Sequence, residues 1–346
     1  MQDVFSTVQA VAPDLNRLLR TRVDILQVLQ AAETPIGRKF LADRVKLTER
    51  SLRTIIDLMK DQGLVSIDKR GISLTQHGQI TAEIALASRH VPSRRPLLET
   101  RLKEILGMDE VWVVPGNLDH NHSVYLLLSQ AVQQILQTFL KYGHSTIAVT
   151  GGETLAHVGE GFTPDLSQNR DLVFVPARGG VGGDYSIQSN MVGGLMAQNT
   201  QSKYVPLFLP DTLKEDATAV LMQDPAINQA LSLSQRADCL LVSVGAAATM
   251  AQRRELTANQ QALLQEKAAI GEAFGLFFDQ AGQEVLKLPR VGIQIETLNQ
   301  IPLVLTIVGG ASKASAVKGY SQLVKGHGWL VCDEGLANTI LNEVTH

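Results

Sequence analysis

Three joints in the sequence place glycine and hydroxyl residues where an apolar run gives way to a helical one: Val149-Thr150-Gly151-Gly152-Glu153-Thr154, Val244-Gly245-Ala246 and Val308-Gly309-Gly310-Ala311-Ser312-Lys313. A glycine turn into a helix start exposes backbone N–H groups and the positive end of the helix dipole, so each joint is a candidate phosphate cradle. Taken singly, each also fits plain tight packing. Cations stand nearby in Lys313, in Arg178 at the end of an apolar run, and in the pair Arg253-Arg254. Several cations beside several cradles suit two phosphate groups, whereas one of each suffices for a monophosphate. The plainer place for Arg253 and Arg254 is a solvated helix face. Gln188, Ser189 and Asn190 open a helical stretch and are suited either to sugar hydroxyls or to ordinary capping. Glu272 precedes the apolar, strand-like run Phe274 to Phe278, where an unpaired carboxylate is costly. It is expected either to orient an arginine or accept a sugar hydroxyl, or to be an exposed strand start.

Other catalytic signatures are missing. No G-x-G-x-x-G or G-x-x-x-x-G-K-[ST] run occurs, and Gly179-Gly180-Val181-Gly182-Gly183 has the wrong spacing, so no nucleotide cofactor is expected. There is no H-E-x-x-H, no G-x-S-x-G and no metal-spaced Cys/His set; His120-x-His122 sits in a polar joint that reads as a loop. Cys239 and Cys332 lie inside apolar runs and read as reduced core residues.

The joints need a scaffold, and the pattern beyond residue 100 supplies one. Short β-rich runs at Val111 to Pro115, Thr146 to Thr150, Leu172 to Pro176, Tyr204 to Leu209, Cys239 to Val244, Leu303 to Val308 and Trp329 to Cys332 alternate with helical stretches. Near-continuous Val/Ile/Leu marks strands covered on both faces, so an α/β domain with a largely parallel sheet is expected. In such sheets ligands bind at the carboxyl ends of the strands, which is where the glycine joints fall.

The front of the chain follows another pattern. Helical spacing over 14–31 is followed by a shorter helix over 36–45 and a third one capped by Thr48, with Ser51 three residues on, that stops at Gly63. Then come Leu64-Val65-Ser66-Ile67, a polar tip Asp68-Lys69-Arg70-Gly71, and Ile72-Ser73-Leu74-Thr75, an alternating hairpin. Three helices and a two-stranded wing make an N-terminal winged helix-turn-helix. The proline-bracketed segment Val91-Pro92-Ser93-Arg94-Arg95-Pro96 suits a hinge, giving residues 1–90 as the DNA-binding domain, 91–100 as linker and 101–346 as the large α/β domain. Residues 1–95 carry 15 Lys+Arg against 10 Asp+Glu and residues 96–346 carry 16 against 24, within a total charge of −3. A basic front on an acidic body points to a polyanionic partner for the front. No apolar stretch reaches membrane-spanning length and the first residues lack a signal-peptide pattern, which points to the cytoplasm.

With this front, the runs Thr150 to Thr154, Pro176-Ala177-Arg178-Gly179-Gly180, Thr249 to Arg254, Gly271-Glu272-Ala273-Phe274-Gly275 and Gly309 to Lys313 resemble the SorC family of sugar-responsive bacterial repressors over essentially the whole length. The resemblance implies a large domain with the fold of sugar-phosphate isomerases, deaminases and CoA transferases that acts as a sensor rather than an enzyme, with fructose-1,6-bisphosphate as the effector of its nearest members. It implies that Gly151, Gly152, Glu153, Thr154 and Lys313 hold one phosphate, that Arg178, Gln188 and Arg253 line the other phosphate and the sugar, and that Glu272 holds a hydroxyl or braces Arg253. Glu153 is unexpected there, because a carboxylate suits a helix start but repels a phosphate. On the DNA side it implies that Thr48, Glu49, Arg50, Ser51, Arg53 and Thr54 face the major groove of operator DNA and that Lys69 and Arg70 on the wing meet phosphates or the minor groove. A homodimer or homotetramer is implied on DNA. The competing expectation is a sugar-phosphate isomerase or deaminase with an appended winged helix, although no acid and base pair stands beside the cradles.

Overall fold

The computed structural model describes residues 13–32, 34–89, 95–180, 184–210, 220–221, 223–325 and 327–344. The chain divides into two compact units, one up to Arg94 and one from Arg95. The expected hinge from Val91 to Arg94 lies outside the described residues, as does 181–183 of the glycine cluster.

The first unit runs α1 (Pro13–Gln30), α2 (Arg38–Arg44), α3 (Glu49–Asp61), a hairpin of β1 (Val65–Asp68) and β2 (Gly71–Leu74), and α4 (Gln76–Arg89). Leu52, Ile56 and Met59 recur on one face of α3 and are buried with Ile25, Leu26 and Leu29 of α1 and Leu41 of α2. Ile36 and Ile72 exchange backbone hydrogen bonds at 2.9 Å, which ties the α1–α2 joint to the hairpin. β1 and β2 are antiparallel, with Val65 opposite Leu74 and Asp68 opposite Gly71.

The second unit holds a seven-stranded parallel sheet. Its strands are β3 (Glu110–Val114), β4 (Gly143–Val149), β5 (Arg170–Pro176), β6 (Lys203–Tyr204), β7 (Cys239–Val242), β12 (Leu303–Val308) and β13 (Trp329–Asp333), in the order β3-β13-β12-β7-β4-β5-β6. Every residue of β7 and β12 is buried, as the unbroken apolar runs require for central strands packed on both faces. Helices α5 (Arg95–Leu106), α6 (Val124–Phe139), α7 (Glu153–Glu160), α8 (Ser189–Asn199), α9 (Pro225–Gln235), α12 (Ala314–Val324) and α13 (Glu334–Val344) connect or follow these strands. Between β7 and β12 the chain inserts β8 (Gly245–Ala246), α10 (Ala247–Arg253), α11 (Ala258–Glu266), β9 (Gly271–Ala273), β10 (Leu276–Phe278) and β11 (Glu284–Lys287), whose strands form a four-stranded antiparallel sheet in the order β11-β10-β9-β8.

The strand order fixes the site. From β4 the chain winds outward through β5 and β6, then returns to β7 and winds the opposite way through β12 and β13. The reversal falls between β4 and β7, and a crevice opens beyond the carboxyl ends of strands at such a switch point. Gly151 and Gly245 follow those two ends.

Two expected strands differ. In the run Tyr204 to Leu209 the regular ladder with β5 ends after the Val205 amide bonds the Phe174 carbonyl at 3.0 Å, because the Leu207 amide, next in line to extend it, turns instead to Asn190 Oδ1 at 2.9 Å. The run Phe274 to Phe278 is a hairpin turn followed by β10: Phe274 (φ 56°) and Gly275 (φ 76°) form a two-residue turn of left-handed backbone joining β9 to β10, with Ala273 opposite Leu276.

Candidate functional site

The crevice at the switch point is a cleft of about 410 Å³. All nine residues singled out for a sugar phosphate line it: Gly151, Gly152, Glu153, Thr154, Arg178, Gln188, Arg253, Glu272 and Lys313. Among the described residues, five cationic side chains, Arg178, Arg253, Arg254, Arg290 and Lys313, share it with three carboxylates, Glu153, Asp184 and Glu272. A cleft with this balance favours an anion.

The three glycine joints do not act alike. After β4 the chain passes through Gly151, where a Cβ would sit 2.4 Å from the Ile187 carbonyl oxygen, and Gly152 at φ 126°. α7 then starts at Glu153, and its first intrahelical bond is made by the Ala156 amide to the Gly152 carbonyl at 3.0 Å. The amides of Glu153, Thr154 and Leu155 precede that bond, so this joint has the geometry of an anion cradle. The second joint does not: Gly245 and Ala246 are strand β8 paired with β9, and the Ala247 amide that opens α10 donates to Ile270 O. In the third, protein carboxylates take the amides a phosphate would use. The Gly310 N–H donates to Asp333 Oδ2 at 2.9 Å, and the Ser312 N–H and hydroxyl donate to the two oxygens of Asp119 at 3.1 Å each. What this turn adds to the cleft is the side chain of Lys313, whose Nζ donates to Thr154 Oγ1 at 3.1 Å. Burial pushes the Lys313 ammonium below the ordinary lysine range, with the nearby charge of Glu153 opposing that shift.

The acid in β9 braces a different arginine from the one expected. Glu272 Oε1 accepts from Arg254 Nη2 at 2.7 Å and from the Gly275 amide at 2.6 Å, and both side chains of the pair are about 5–6% exposed. Glu272 is therefore no exposed strand start, and Arg254 is not on a solvated face. Arg253 is paired instead with Glu153, Nη2 to Oε2 at 2.9 Å, and is 38% exposed. Ser189 and Asn190 are structural: the Ser189 hydroxyl donates to Arg178 O at 2.9 Å, and Asn190 bonds the backbone of Leu207 and accepts from the Tyr204 hydroxyl. Gln188 holds the N-cap position of α8 without a side-chain cap bond and lines the cleft.

Arg254, one of the cations expected near the cradles, lines the cleft, and so do Asp184 and Arg290, which no motif singles out. Arg290 arrives because Val291 and Ile293 bond the backbone of Gly179 and Ala177, and Gly292 (φ 127°) permits this approach, since a Cβ there would meet Ala177 O at 2.3 Å. Its guanidinium lies 5.5 Å from the centre of the Phe274 ring. No local pattern announces a pairing between segments more than a hundred residues apart.

In the first unit, Thr48, Glu49, Arg50, Ser51, Arg53 and Thr54 are all exposed around the first turns of α3, and Lys69 and Arg70 are exposed at the hairpin tip. Thr48 caps α3 by accepting the Ser51 amide at 3.2 Å, so part of its function is structural. Arg70 is folded back on Asp68, with Nη2 to Oδ2 at 2.9 Å, and Arg53 lies 3.9 Å from Asp57.

Compared with known proteins, residues 92–342 match the sugar-binding domain family and residues 18–85 match the CggR N-terminal DNA binding domain. The central glycolytic genes regulator of Priestia megaterium is 36% identical over 344 residues, covering 99% of both chains. That of Bacillus subtilis is 33% identical, covering 99% of this chain and all of that one. A solved SorC family transcriptional regulator from Enterococcus faecalis is 36% identical and superposes with a TM-score of 0.67 over 71% of this chain and 99% of its own. The chain belongs to the SorC family. The full-length sorbitol operon regulator SorC of Klebsiella pneumoniae, 18% identical, shares the fold with a TM-score of 0.66 over 95% of this chain. The SorC-family relatives are transcriptional regulators, and this chain is a DNA-binding regulator with a sugar-binding domain rather than an isomerase or deaminase. Among the described residues no helix is long and apolar enough to cross a membrane.

Proposed function

We propose that this regulator represses central glycolytic genes and that the cleft is its sensor for a phosphorylated sugar, with fructose-1,6-bisphosphate as the expected effector. The observation that carries the reading is five cationic side chains gathered round one cleft at the switch point of a sugar-binding domain. The α7 start with Thr154 and Lys313 suits one phosphate, and Arg178, Gln188 and Arg253 suit the second phosphate and the sugar hydroxyls. Arg254 and Arg290 add charge, and Glu272 holds Arg254 in place. Residues 1–90 act as a winged helix-turn-helix. Residues 48–54 enter the major groove of operator DNA, and Lys69 and Arg70 on the wing take phosphates. The domain from about residue 101 uses a fold of the sugar-phosphate isomerase, deaminase and CoA-transferase kind for sensing and for assembly into a homodimer or homotetramer. Effector binding loosens cooperative assembly on the operator in the cytoplasm.

Thermal unfolding with fructose-1,6-bisphosphate, fructose-6-phosphate, glucose-6-phosphate, dihydroxyacetone phosphate and inorganic phosphate tests the sensor. Ligand at ~100 times its dissociation constant adds ~2.7 kcal/mol to the folded state. The proposal expects a rise selective for the bisphosphate; a rise with a monophosphate alone changes the effector, and no rise with any of them removes the sensor.

A further inference from the structure

We infer that Glu153 is a carboxylate stand-in for a ligand's phosphate at Arg253, setting how strong an anion must be to bind there. The inference rests on the reading of the cleft as an anion sensor. Three observations carry it. Glu153 is the first residue of α7 and lines the cleft beside the helix start that a phosphate would use. Its Oε2 takes the Arg253 guanidinium at 2.9 Å across the cleft, with the two side chains 52% and 38% exposed. It also acts favourably on the Lys313 ammonium, which Arg253 repels. Arg253 and Lys313 are the two cations expected to meet phosphate; Glu153 is bonded to the first, while the Nζ of the second donates to Thr154 Oγ1.

An incoming anion must therefore displace Glu153 from Arg253 and then tolerate its charge nearby. A dianionic phosphate gains enough from Arg253, Lys313 and the α7 amides to do so; a monoanionic carboxylate or a neutral sugar gains less. Glu153 then acts as a specificity residue, rejecting weak anions that the cations alone would accept.

The test is calorimetric titration of wild-type protein and Glu153→Gln with fructose-1,6-bisphosphate, inorganic phosphate and acetate. Gln keeps the length of the side chain, and unfolding midpoints of both proteins verify that the variant is folded. We expect Glu153→Gln to bind the bisphosphate and inorganic phosphate at least about fivefold more tightly than wild type, with acetate becoming detectable. Unchanged or weaker binding in the variant overturns the inference. If wild type binds no anion while the variant does, the stand-in is supported and the bisphosphate effector falls; if neither binds any anion, both readings fall.

Discussion

The buried pair Arg254–Glu272 and the half-buried Lys313 make opposite demands on the protein. Removing one partner of a buried ion pair strands a charge, so Glu272→Ala is expected to lower stability by about 3–5 kcal/mol, read by denaturant unfolding, with Glu272→Gln milder because it can still accept the Gly275 amide. Lys313 instead carries a pH signature. Its pKa lies below the ordinary value of 10.5 through desolvation, so between the folded value and 10.5 the unfolded chain binds more protons and stability rises with pH. Anion affinity runs the other way, because it needs the charged ammonium. It should fall on the alkaline side starting below pH 10.5, and Lys313→Arg should remove that inflection; a profile shared by wild type and Lys313→Arg would take Lys313 out of the site. Residue types were readable from the sequence, since nine of the residues lining the cleft follow from motifs that resemble the family. Pairings were not: which of two adjacent arginines meets Glu272 depends on where α10 ends, and adjacent residues on a helix point about 100° apart.

At the scale of elements, glycine joints were legible as ends of strands but not as equivalents. Only the backbone trace shows that Asp119 and Asp333 occupy the amides of the 310–312 turn, since these carboxylates come from β3–α6 and the end of β13. The α7 start is the exception, and Gly151→Ala is expected to abolish effector binding, because its Cβ would force the Ile187 carbonyl away and shift Gln188 with it; retained affinity by calorimetry would show that this turn is not part of the site. In the first unit α3 and the hairpin were readable, because each is closed by a local signal: Thr48 at the start of α3, Gly63 at φ 71° after it, and Asp68 holding the hairpin tip. Thr48→Ala should cost ~1 kcal/mol of that unit's stability through the lost cap. Arg50→Ala and Arg53→Ala should instead weaken operator binding without changing sugar affinity or stability. An unaltered DNA isotherm for both would move the recognition surface away from α3.

The molecule as a whole joins a basic front of +5 to a body of −8, so DNA affinity should fall steeply with salt while sugar affinity depends on the few cations of one cleft. If effector and operator bind the same protein with opposite preferences for its assembly, each weakens the other by the same factor, typically a coupling of ~1–3 kcal/mol. The most direct measurement is operator binding by fluorescence anisotropy at fixed salt, using a DNA fragment recovered by selection for tight binding, with and without saturating fructose-1,6-bisphosphate, for wild type and Lys313→Ala. The account predicts that the sugar weakens or decooperates binding by wild type, by about five- to 150-fold, and leaves Lys313→Ala near its sugar-free isotherm. An isotherm for wild type that the sugar does not move, or an equal shift in both proteins, would contradict it.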